Sequence, residues 1–145
     1  MLDILLECLI VGDSIANGIS QANRQCSAVV KDGITSEGWL KANKNHPSYT
    51  NNKYKIAVIS LGTNDFRTGN TVENLYDIRR NIKAEKVYWI LPSSILKPVQ
   101  RQIVRELSNE FHDTTIDISQ QVGYDGIHPP TLTKYKEVGD KIFKK

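Results

Sequence analysis

Ser14 follows an apolar run, Leu9-Ile10-Val11, by way of Gly12 and Asp13. Near the other end of the chain, Asp125 and His128 stand three residues apart in a loop bounded by glycine and proline. A hydroxyl, an imidazole and a carboxylate are the minimum set for acyl transfer through a serine ester. They supply the nucleophile, the general base and the group that orients the base. More than a hundred residues separate the two segments, so the chemistry depends on a fold that joins them.

Apolar runs alternate with amphipathic stretches, which predicts strands over Glu7–Gly12, Ser27–Lys31, Lys55–Leu61, Lys86–Leu91 and Thr114–Ile118. Helices are predicted over Ser14–Arg24, Ser36–Lys44, Thr71–Ala84, Pro98–Phe111 and Thr131–Phe143. Helical spacing turns Ile15 and Ile19 inward in the first of these, and Val72, Leu75, Ile78 and Ile82 in the third. Asn70 or Thr71, with Glu73 close behind, marks a helix start, and Pro92 stops the fourth strand.

The alternation predicts one α/β domain over 1–145. It is a three-layer α/β/α sandwich on a five-stranded parallel sheet, with right-handed crossovers and the flavodoxin-like order 2-1-3-4-5. Sites in such sheets lie at the carboxyl ends of the strands, near the switch point between strands one and three. Four loops of this chain fall there: Gly12-Asp13-Ser14, Asp32-Gly33, Leu61 to Asp65, and Asp125 to His128.

At each position a structural role competes with the chemical one. Ser14, at a strand-to-helix turn, suits a helix N-cap as well as a nucleophile whose oxyanion the helix N-terminus would favour. Asp125-x-x-His128 suits an Asx-type turn as well as a base and its orienter. Pro129 restricts the backbone at His128. Gly62 to Asp65 suits a plain turn, yet the amide of Asn64 and the N–H of Gly33, which lacks a Cβ, could both donate to an oxyanion. Asp13 and Asp65 read as acceptors that brace loops. His46 and His112 read as surface residues.

Composition narrows the classes. The chain has 145 residues, a net charge of +3, 39% hydrophobic and 24% charged residues, as in a globular domain with a sizeable core. No Lys/Arg cluster alternates with aromatics, so nucleic acid is not an expected partner. Lys141, Lys144 and Lys145 read as a solvated helix end. No apolar run would span a membrane. Met1 to Val11 carries Asp3 and Glu7 without a basic lead, and reads as a core strand rather than a signal peptide. The expectation is a cytoplasmic protein as encoded, with export in a virus particle left open. Cys8 and Cys26 read as two buried thiols; the alternative is that they pair, since both would start neighbouring strands. Nothing in the sequence reports oligomeric state. There is no G-x-G-x-x-G and no G-K-[ST] loop, which counts against a nucleotide-binding flavodoxin-like domain.

Taken in order, Gly12-Asp13-Ser14-Ile15, Asp32-Gly33-Ile34-Thr35, Gly62-Thr63-Asn64-Asp65 and Asp125-Gly126-Ile127-His128-Pro129 resemble the four blocks of the SGNH hydrolases, or GDSL-type esterases. That family is named for the Ser, Gly, Asn and His of these blocks. The likeness runs from about Leu9 to the last helix; the second block is the loosest, and Ile15 replaces the leucine of the family name. The resemblance implies Ser14 as nucleophile, His128 as base and Asp125 as its orienter. It also implies an oxyanion hole from Ser14 and Gly33 N–H with Asn64, and neither metal nor organic cofactor.

The chain is short for this family, with no insertion for a lid or acyl tunnel. That favours a small acyl group, such as acetyl, on a polysaccharide. Compact members of this kind are similar to those of bacteriophage genomes, where host-surface glycans would be targets, and Trp39 or Trp89 could stack on a sugar, although Trp89 reads more simply as core. Alternatives of other kinds are a thioesterase or lysophospholipase-type acyl hydrolase, and a glycan-binding module without activity on a phage or cell surface.

Overall fold

The computed structural model describes residues 4–144. Met1 to Asp3 of the lead-in, and Lys145 of the basic tail, lie outside the described residues. In chain order the elements are β1 (Leu5–Gly12), α1 (Ser14–Ala22), β2 (Ser27–Val30), α2 (Ser36–Asn43), α3 (Pro47–Thr50) and β3 (Lys53–Ser60). There follow α4 (Thr71–Arg80), β4 (Lys83–Ile90), α5 (Pro98–Glu110), β5 (Thr114–Ile116) and α6 (Leu132–Phe143). The five strands form one sheet, in the order β2-β1-β3-β4-β5, with every pairing parallel. This is the α/β sandwich and the strand order that the alternation predicts.

Strand period two divides the core. Leu9, Val11, Ala57, Ile59, Val87 and Trp89 point to the face covered by α2 to α5. Ile10, Val58, Tyr88, Ile90 and Ile116 point to the face covered by α1 and α6. The central strands are therefore apolar on both sides, as a doubly covered parallel sheet requires. Among the described residues no helix is long and apolar enough to cross a membrane.

Several expectations change. Helix α4 stops at Arg80, four residues before Ala84, because β4 must begin at Lys83 to pair with Lys53. Ile82 is buried past the helix end, and Val72 is exposed rather than inward. Both tryptophans are fully buried, and both indole N–H groups are used internally. Trp39 donates to the Val29 carbonyl, and Trp89 to Asp113, which also pairs with Arg79. Neither can stack on a sugar. His46 is not a bare surface residue, since its Nδ1 caps α3 by accepting from the Ser48 N–H. Lys141 is anchored on the Asp117 carbonyl and Gln121 rather than left in solvent.

Cys8 and Cys26 form a disulfide, which overturns the reading of two buried thiols. The reason is register. Leu9 pairs with Ser27, so the preceding residues of the two segments are brought side by side, with Cα atoms 4.6 Å apart. The bridge spans 18 residues and encloses Ser14 and all of α1.

Closing a loop of this length contributes about 3 kcal/mol, chiefly by restricting the unfolded chain. Replacing both cysteines with alanine should lower stability by roughly that amount. Urea unfolding of the wild type with and without reductant checks this. Identical midpoints would show that the bridge adds no stability.

Candidate active site

The site begins where β1 ends. Gly12 has φ +142°, and a Cβ there would lie 1.9 Å from the Ser60 carbonyl oxygen. Only glycine lets β1 pass this close to β3 while turning. Asp13 is the N-cap of α1, and Ser14 is its first residue, so the capping role open to Ser14 falls to its neighbour. One carboxylate oxygen of Asp13, Oδ1, accepts from the N–H of Ile15 at 3.0 Å and of Ala16 at 3.4 Å, and from the Ser60 hydroxyl at 3.0 Å. Its other oxygen is buried without a partner. Burial pushes the Asp13 carboxyl up to about 6, against the opposing pull of the Ser60 hydroxyl, the two amides and His128.

The far end of the chain reaches Ser14 through α6. Gly18, one turn along α1 from Ser14, lies under the Tyr135 ring, where a Cβ would come within 2.1 Å of ring carbon. Gly139 of α6 receives Asn23 in the same way. This packing of α6 on α1 sets the loop before α6 beside Ser14. Ser14 Oγ and His128 Nε2 are 2.6 Å apart. His128 Nδ1 and Asp125 Oδ2 are also 2.6 Å apart. With the proton on Nδ1 donated to Asp125, Nε2 is free to accept from the serine hydroxyl.

Asp125 is held in turn. Its Oδ1 accepts from the N–H of Ile127 and of His128, each at 2.8 Å. The Asx-type turn and the carboxylate–imidazole contact therefore coexist in one residue, using different oxygens. The His128 N–H holds the Asp125 carboxyl down at about 2, with smaller help from Ile127 N–H and the imidazole, against slight burial. It stays ionised at any ordinary pH. The Gly123 N–H donates to the His128 carbonyl, and a Leu96 methyl packs against Gly126, steadying the loop from outside.

Gly33 and Asn64 emerge beside Ser14, since Gly12 pairs with Val30 on one side and Ser60 on the other. Gly33 has φ +74°, with nothing within 4 Å of a would-be Cβ. Backbone conformation, not crowding by the protein, asks for glycine there. Asn64 donates one amide hydrogen to the Ile34 carbonyl at 3.2 Å, which leaves the other free. Its loop is also a turn, closed by Asp65 N–H to the Gly62 carbonyl. Asp65 braces the site as expected, accepting from the N–H and hydroxyl of Ser36 and from the Thr71 hydroxyl.

Two features were not read from the sequence. Asn17 donates to Asp32 at 3.0 Å, joining α1 to the loop of Gly33. An apolar cavity of about 400 Å³, walled by Ile15, Leu91, Pro92, Leu96, Val122 and Ile127 among others, lies beside the Asp125–His128 loop. Neither Ser14 nor His128 is in its wall. Among the described residues no group of three His, Cys, Asp or Glu could hold a metal ion.

Solved structures share this architecture. A GDSL-like lipase from Bacteroides thetaiotaomicron matches with a TM-score of 0.66 at 16% identity, covering 95% of this chain and 85% of that one. A carbohydrate acetylesterase family member from Sinorhizobium meliloti gives 0.60 at 13% identity, over 92% and 94%. A catalytic mutant of an acetylxylan esterase from Geobacillus stearothermophilus gives 0.63 at 12% identity, over 99% and 97%. The chain thus has the fold of the GDSL-type hydrolases. No protein-family model and no curated protein matches its sequence significantly.

The raised Asp13 carboxyl has a stability consequence of definite sign. Its protonated form is favoured in the folded state. The stability it contributes is full below about pH 4 and is lost as pH rises through about 6. The loss amounts to about 3 kcal/mol. Asp13→Asn keeps an acceptor for α1 but cannot ionise, so it should escape that loss. Urea unfolding of both proteins near pH 4 and near pH 7.5 tests this, and parallel changes in the two would exclude Asp13 as the titrating group.

Proposed function

We propose that this protein is a serine esterase acting through an acyl-enzyme, with Ser14 as nucleophile, His128 as general base and Asp125 as the group that orients it. The observation that carries the reading is the unbroken run of contacts from Ser14 Oγ through the imidazole to Asp125, 2.6 Å at each link, at the carboxyl end of β1. Ser14 Oγ attacks the acyl carbon as His128 Nε2 takes its proton. The N–H groups of Ser14 and Gly33 and the free amide hydrogen of Asn64 receive the oxyanion. The intermediate collapses, and His128 returns the proton to the leaving alcohol. Water, giving a proton to His128, then attacks the acyl carbon, and the acid and free Ser14 hydroxyl are restored.

The proposed substrate is a small acyl ester, an O-acetyl group on a carbohydrate. Two supports bear on it: the neighbours that are carbohydrate acetylesterases, and the exclusion of Ser14 and His128 from the apolar cavity wall. The cavity itself favours a second reading, as an acyl hydrolase for longer chains, because Ile15 and Ile127 in its wall are the chain neighbours of Ser14 and His128. The Cys8–Cys26 bridge supports work outside a reducing cytoplasm, such as on a virion or cell surface where glycans are met.

Hydrolysis of p-nitrophenyl acetate should fall on the order of 10,000-fold in Ser14→Ala and His128→Ala, and less in Asp125→Asn, since the orienter transfers no proton. Equal rates in wild type and Ser14→Ala would sink the assignment. Rates over acetyl, butyryl and octanoyl esters, beside acetylated xylan, settle acyl length. The acetyl reading expects a steady decline with length, and an octanoyl preference would select the second reading.

A further inference from the structure

The Gly33 N–H belongs to the peptide between Asp32 and Gly33, and almost nothing packs against it. Lys31, Asp32 and Gly33 are all exposed, and the space beside Gly33 is empty to 4 Å. The loop is tied down before and after this peptide. Lys31 N–H donates to the Gly12 carbonyl, and the Ile34 carbonyl accepts from Asn64. Between those ties the Ile34 N–H closes a turn on the Lys31 carbonyl at 3.3 Å, and the side-chain contact that joins the turn to the rest of the protein is Asn17 Nδ2 donating to Asp32 Oδ1 at 3.0 Å. Asn17 lies one turn along α1 from Ser14, and its own amide oxygen accepts from Gln21, which turns the amide hydrogens toward Asp32.

We propose that Asn17 and Asp32 are positioning residues that clasp the Gly33 N–H at a fixed place relative to Ser14. This inference rests on the esterase reading and on Gly33 serving the oxyanion. A donor stabilises a transition state only where it already points at the developing charge, and a loop that must reorder at each turnover forfeits that gain. The clasp ties the donor to the helix that carries the nucleophile, so the two move as one unit. It acts on the transition state more than on the bound ester, whose carbonyl carries less charge. Loss of the clasp therefore shows in kcat before KM.

Asn17→Ala and Asp32→Ala should each lower kcat for p-nitrophenyl acetate about tenfold, with KM changed less than about twofold. Melting temperatures of the two variants should stay near the wild type, since the bond is exposed. Asp32→Asn separates the hydrogen bond from the charge: it keeps an acceptor for Asn17 and should recover most of the kcat that Asp32→Ala loses. Wild-type kcat in Asn17→Ala, a loss confined to KM, or Asp32→Asn as poor as Asp32→Ala would each overturn the clasp. Full activity in Ser14→Ala would instead overturn the esterase reading beneath it.

Discussion

The buried hydrogen bonds of the Asp13 carboxylate are the constraint on which the site depends. One oxygen takes the amides of Ile15 and Ala16 and the hydroxyl of Ser60, and so joins the start of α1 to the end of β3. Of the first amides of the helix, these two are spoken for. That of Ser14, at the positive end of the helix dipole, has no protein acceptor among the described residues. The cap thus decides which donor is free. The arrangement is costly, because the second oxygen has no partner and ionisation is opposed by burial. A neutral cap such as Ser would avoid the cost, but it would not place negative charge near an imidazole that the proposed mechanism makes cationic.

Helix α1 carries the rest. From its first turns come the proposed nucleophile at Ser14, the proposed clasp at Asn17 and the smooth surface at Gly18 on which Tyr135 rests. Because α6 is placed by that surface, the distance from His128 to Ser14 is fixed by helix packing as well as by its own loop. The Cys8–Cys26 bridge closes the segment that contains Ser14, Asn17 and Gly18. A single short helix, joined to the end of β1 through Asp13, therefore serves as the common reference for groups drawn from three separate loops. Rigid elements hold such geometry better than loops do.

What the sequence made legible follows from periodicity and short-range chemistry. The apolar runs at β1, β3 and β4 are long, β-branched and bounded by turn residues, so the sheet and its order could be read directly. Ser14, Asp125, His128, Gly33 and Asn64 are each of a type common in loops or turns, and they stand out only because four separate loops bring them, in this order, to one sheet end. The boundary of α4 was missed because Lys83 and Ala84 are good helix formers whose state is decided by pairing with β3. The cysteine pairing turned on one rung of register between β1 and β2, which strand prediction with errors of a residue or two cannot resolve. Trp39 and the Asn17–Asp32 contact depended on how loops and helices lie across the sheet, and no local pattern encodes that.

The surroundings of the reacting groups decide what the fold leaves open. Structures that share it at 12 to 16% identity are described as a lipase, an acetylesterase and an acetylxylan esterase, so the framework alone does not choose a substrate. Here the choice falls on the rim. Tyr124, fully exposed next to Asp125, and Phe66, exposed two residues beyond Asn64, present aromatic faces to solvent on loops that carry site residues. Lys97 lies over the Phe66 ring, and its neighbour Leu96 packs on Gly126, so the β4–α5 loop links the two sides of that rim. Apolar side chains held out in solvent on an anchored loop suit a large ligand that covers them better than a small one that would leave them wet. On the proposed esterase reading, the acyl group would fill only the space at Ser14, and the carrier it is attached to would supply the rest of the contact.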